Sequence, residues 1–206
     1  MRTSKSPWGF AEGALFVAGI STLGAEIAAA RLIAPAFGAS TVVWANTIAI
    51  VLVALAGGYW LGGRLADRHP HTTAMARAAL LGAVMIALIP LVAIPLLGVT
   101  EDTLGEFPGS LLVQLVLVAP PVLVLGALSP WAIRLRVATV AGAGDVTGRL
   151  YALSTAGGLV GNFAAALALI PWVGTNWTFL ICAALLAAVS APVAWCRQGI
   201  PKTEAR

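Results

Sequence analysis

Six long apolar runs, at about 11–34, 42–63, 74–97, 111–133, 149–171 and 177–196, leave this chain few folds to choose from. Each is close to the ~20 residues that a helix needs to cross a ~30 Å hydrocarbon layer. In such a layer every backbone N–H and C=O must be satisfied within the segment, which a helix does and an open strand does not. Of the 206 residues, 60% are hydrophobic and 10% charged, against about a quarter charged in soluble domains. The mean hydropathy is +0.95. These values give an all-α, polytopic membrane protein with six transmembrane helices. Residues 1–10 form an N-terminal segment, 11–196 the helical domain and 197–206 a tail.

Turn-forming residues mark the expected breaks. Pro35 and Gly38 end the first run, Arg68-His69-Pro70 follows the second, and Gly98 and Pro108-Gly109 bracket the third loop. Pro171 and Gly174 separate the last two runs. Arg2, Lys5 and the apolar stretch after them resemble a signal peptide, but Glu26 would sit beside its cleavage site and the run continues to Ala34. The first segment is therefore read as a retained helix.

Charge sets the orientation. Of the 12 basic residues, 11 fall on one side: Arg2, Lys5, Arg64, Arg68, Arg77, Arg134, Arg136, Arg149, Arg197, Lys202 and Arg206. The other side carries Glu101, Asp102 and Glu106 in its loops, with only Arg31 near it. Positive residues stay inside, so both termini are expected in the cytoplasm, with an even number of spans. A pI near 9.7 therefore reflects the membrane and not nucleic acid.

One residue breaks the apolar pattern. Glu26 lies in the middle of the first run, where a charge costs ~3 kcal/mol on insertion scales, so it is expected to face a protein interior or a wet cavity. Ser21 and Thr22 are placed on roughly the same face. Arg31 is five residues on, about 140° around an ideal helix, so it should pair with another helix or snorkel to the interface. Asn46, Gln114, Ser154, Thr155 and Asn162 are the other polar candidates. Such a site suits a cationic ligand or a proton; a structural Glu26–Arg31 pair is the alternative.

Small residues four apart, Gly58 with Gly62 and Gly157 with Gly161, let helices approach closely. They serve bundle contacts, or else a sliding or dimer seam. Pro90, Pro95, Pro120 and Pro121 interrupt the third and fourth spans, as packing features or as hinges. Cys182 and Cys196 lack metal-ligand spacing and read as small core residues. His69 and His71 sit together in a turn and read as solvated. No catalytic constellation, metal cluster or phosphate loop is found, so neither enzymatic activity nor a cofactor is expected. Asp67 between Arg64 and Arg68, at a helix end, suits a conformational latch or a plain charged loop end.

These residues form ordered motifs. Glu26-x4-Arg31-Leu32-x2-Pro35-x-Phe37-Gly38-x-Ser40-x3-Trp44 precedes Gly58-Tyr59-Trp60-Leu61-Gly62-Gly63-Arg64-Leu65-Ala66-Asp67-Arg68. Gly148-Arg149-Leu150-Tyr151-Ala152-Leu153-Ser154-Thr155-x-Gly157-x3-Gly161 follows later. Together they resemble the membrane region of the fused major-facilitator/spermidine-synthase-like proteins of bacteria. Gly158 and Asn162 depart from that pattern, and His69-Pro70-His71 replaces the end of the facilitator signature loop.

The resemblance implies half of a major facilitator bundle, which needs a partner to enclose a path. It further implies a transporter-like module, as a homodimer, for a small cationic solute such as a polyamine. Glu26, Arg31, Asn46, Thr155 and Asn162 would be its contacts, and Arg64, Asp67 and Arg68 its latch. The alternatives are a membrane anchor for a separately encoded synthase-like enzyme, since the synthase domain is expected to be missing after Arg206, and a structural subunit of a membrane complex.

Overall fold

The computed structural model describes residues 9–195. The segment with Arg2 and Lys5, the tail with Arg197, Lys202 and Arg206, and Cys196 lie outside the described residues. Within them the chain is helical, with no strand among the described residues. Five helices are long and apolar enough to cross a membrane, and a bent pair makes a sixth.

The first helix, α1 (Phe10–Phe37), runs through Pro35 and stops at Gly38. Proline in a last turn forfeits only one backbone bond, whereas Gly38 takes φ +77°, open to glycine and strained for other residues. Ser40 then caps α2 (Thr41–Arg68), its Oγ accepting from the N–H groups of Val42 and Val43. Helix α3 (Thr72–Thr103) continues through Pro90, Pro95 and Gly98. Gly98 therefore does not open a loop. Pro108 and Gly109 do not close one either, because both lie in α4 (Glu106–Leu117). A first-turn proline gives up an N–H that has no partner there.

The fourth run follows a bent path through α4, α5 (Ala119–Gly126) and α6 (Leu128–Arg136), with 45° between its two arms. Pro120 and Pro121 stand at the bend, where two consecutive missing N–H groups break the backbone ladder. A short 3₁₀ turn (Val140–Gly142) leads into α7 (Ala143–Ala164). A π-helical turn (Ala165–Leu169) joins α7 to α8 (Ile170–Val173) just before Pro171. Gly174, at φ +89°, ends α8, and α9 (Thr175–Ala194) completes the chain.

Helix α1 lies at the centre, against α7, α9 and α3. Helix α2 packs along α4, α5 and α6, and α3 joins α9 to α5. Glycine sets the closest approaches. A Cβ on Gly157 or Gly161 would strike the carbonyls of Phe16 and Ile20 in α1, and one on Gly58 or Gly62 would strike Leu123 or Ala127. Both glycine pairs are thus used inside this chain. Hydrogen bonds and ion pairs identify the two ends of the bundle. Arg134–Asp67, Arg136–Glu12 and the Trp131 indole on the His69 carbonyl gather at the basic end. Ser40 with Glu106, and Asn46 with Ser110, gather at the acidic end.

Candidate functional site

A cavity of about 260 Å³ opens between α1, α2, the α5–α6 arm and α7. Helical periodicity builds its walls, because residues three or four apart share a face. Helix α1 supplies Leu15, Gly19, Thr22 and Glu26, α2 supplies Val51, Leu55 and Tyr59, and α7 supplies Tyr151, Thr155 and Gly158. Ser129 closes the α6 side. Tyr59, Ser129 and Tyr151 lie about two turns from the basic ends of their helices, whereas Glu26 lies deeper, past the midpoint of α1. Helices α2 and α7 flank the opening and share no packed seam.

Glu26 is the acidic group of this lining, and no lysine, arginine or histidine accompanies it. Its Oε1 is buried without a hydrogen-bond partner. On its other side lies a void of about 10 Å³, shared with Thr22, Ile86 and Val122, which is about enough for one water. The Thr22 hydroxyl donates to the Ala18 carbonyl at 2.7 Å, leaving its oxygen able to accept. The acid therefore stands in a largely aliphatic wall that also carries the hydroxyl residues Thr22, Ser129, Ser154 and Thr155 and the two tyrosines.

The sequence candidates separate in space. Glu26 and Thr155 meet at the cavity, with Ser154 beside them. Arg31 does not join them: it is exposed, borders a different recess, and forms no ion pair with Glu26 among the described residues. Five residues of helix turn the two side chains apart, so the structural pair does not form. Asn46 donates to the Phe107 carbonyl at 3.1 Å and to Ser110 Oγ at 2.9 Å, fastening α2 to α4 at the acidic end. Gln114 reaches the Val43 carbonyl. Asn162, half-buried, lies outside the cavity lining. Ser21 also leaves the Glu26 face, donating to the Cys182 carbonyl of α9 at 2.9 Å.

At the basic end Asp67 takes Arg134 at 3.0 Å, a side-chain partner on α6 and not a helix N-terminus. Arg64 lies 3.9 Å over the Trp60 ring, and Arg68 is exposed. Tyr59, Tyr151 and Ser129 are the lining residues that sequence reasoning missed. Their signal was the spacing of four between Tyr59 and Leu55, and between Tyr151 and Thr155. No group of three metal-ligating side chains occurs among the described residues. Comparison with family models, with curated proteins and with solved structures finds no match for this chain.

Proposed function

We propose that this chain is a bilayer-embedded, transporter-like half-bundle that takes a small cationic solute into the Glu26 cavity, its open side closed by a second copy. One observation carries the reading: an acidic oxygen without a partner on the wall of a cavity of about 260 Å³. An acid at this depth is normally kept only where it faces a polar interior or a pathway. Tyr59 and Tyr151, in the same lining, add aromatic rings and hydroxyl oxygens, groups that suit an ammonium. The volume falls below the ~300–1,000 Å³ of drug-sized sites, which fits a short amine such as a polyamine. Arg64, Arg68, Arg77, Arg134, Arg136 and Arg149 support a cytoplasmic basic end, and in a bacterial inner membrane the cavity would fill from that side.

The test is uptake and binding of a labelled polyamine in proteoliposomes. Glu26→Gln keeps the shape and removes the charge, and should lower both by about tenfold or more. Unchanged uptake would end the proposal. The anchor reading has its own support in Arg68 and Arg149, exposed at the basic end and free to meet a soluble partner. Affinity purification from native membranes separates the two, because an anchor should retain a synthase-like protein in stoichiometric amount and a carrier should not.

A further inference from the structure

A second recess, of about 340 Å³, lies toward the acidic end between α1, the α1–α2 turn, the start of α2 and the π-helical turn. Its charged group is Arg31. The Arg31 guanidinium presents five hydrogen-bond donors in a planar fork. Among the described residues no carboxylate forms an ion pair with it. Glu106, near the same end, is instead engaged by the Ser40 hydroxyl. The space exists because Ala30 and Ala34, one turn apart beside Arg31, carry only methyl groups, and because Gly38 turns the chain away.

The opposite wall carries Trp44 and Thr47. Thr47 donates to the Val43 carbonyl, and its oxygen keeps acceptor capacity only. Positive potential in the recess therefore comes from Arg31, because the start of α2 is already met by the Ser40 cap and the Glu106 carboxylate on it. A cation would be repelled. An anion with several oxygens would find the forked donor of Arg31, with Trp44 on the facing wall.

We propose that the Arg31 recess binds a phosphate-class oxyanion, carried either by a lipid headgroup or by a small solute. Phosphate matches the guanidinium fork in two parallel hydrogen bonds, which a carbonyl or a hydroxyl cannot do. Arg31 lies about 9 Å from the acidic end of α1, six residues before Phe37 at 1.5 Å each, the depth at which headgroups meet acyl chains. This site is separate from the Glu26 cavity, and nothing in it depends on what that cavity holds.

Two probes test it on the purified full chain. Native mass spectrometry would count phosphatidylglycerol adducts against diacylglycerol, which lacks the phosphate, and calorimetry would follow inorganic phosphate in detergent. The intact chain should bind at least one phosphate probe. Arg31→Gln should weaken that binding by about tenfold or more, with Arg31→Lys between the two. Ala34→Leu, which fills the recess and keeps the charge, should weaken it as well, and decides the matter if Arg31→Gln fails to fold. Arg149→Gln, at the other end, should change nothing. Phosphatidylglycerol adducts without a phosphate signal assign a headgroup; binding of both assigns a small anion. Absence of both, or full binding by Arg31→Gln or Ala34→Leu, overturns the proposal.

Discussion

Glycines of this bundle differ by what a single methyl group would meet. At Gly157 and Gly161 it would collide with the α1 backbone, which cannot swing aside as a side chain can. Gly98 faces open space within α3. Gly161→Ala should therefore lower stability by about 1–3 kcal/mol through overpacking, while Gly98→Ala should raise it by up to about 1 kcal/mol through helix propensity. Thermal unfolding in mild detergent distinguishes the two signs. Buried hydroxyls divide in the same way. Ser21 satisfies its donor on Cys182, whereas Ser190 Oγ is buried without a partner. Ser21→Ala should cost about 0.6–1 kcal/mol, and Ser190→Ala should be neutral or stabilising. If Ser190→Ala destabilised the protein as much as Ser21→Ala, the assignment of hydrogen bonds along α9 would be wrong.

At the scale of the helices, the bend at Pro120 and Pro121 is the feature that most shapes the cavity. It carries the α5–α6 arm across α2, bringing the Leu123 carbonyl and Ala127 onto Gly58 and Gly62 and turning Ser129 toward the cavity. The double variant Pro120→Ala/Pro121→Ala improves local helix propensity, yet it should lower the unfolding temperature, because a straight helix leaves the glycine notch of α2 unfilled. A gain in stability would show that the bend is incidental. The six apolar runs were legible as helix, five of them long and apolar enough to cross a membrane and the fourth only as a bent pair. Their ends were not. Helices α2 and α3 extend past the apolar stretch to Arg68 and Thr103, because backbone bonding continues where hydropathy stops. The site was half legible. Glu26 announced itself by charge, but Asn46 looked equally polar and is spent on holding α2 to α4. Tyr59 and Tyr151 carried no signal of their own, since only the tertiary arrangement of α2 and α7 brings both to the wall of one cavity.

Over the whole molecule, charge and shape make two separate demands on the surroundings. Charge demands orientation. With the native cysteines replaced, cysteines at Thr139, beyond α6, and at Thr103, at the end of α3, should react with impermeant reagent from opposite sides of the membrane, Thr139 from the cytoplasm. Shape demands a cover. A cavity flanked by α2 and α7 is open on the side where those helices share no seam, and both carry large exposed apolar groups there, Leu52 at 60% and Leu159 at 57%. At 100° per residue these lie about 60° and 90° around from the cavity stripes of their helices. A second copy related by a two-fold axis through the opening would set α2 of one copy against α7 of the other, so that Leu52 faces Leu159 and Leu159 faces Leu52, as an isologous interface requires. A chain carrying cysteines at both Leu52 and Leu159 should therefore form cross-linked dimers in native vesicles. Ile94, 72% exposed on α3, provides the contrast, because α3 stands away from the opening and its surface should meet only lipid. Cross-linking at Ile94 equal to that at Leu52 and Leu159 would mean collision in the bilayer, and the cavity would then be left without the cover that a transport path requires.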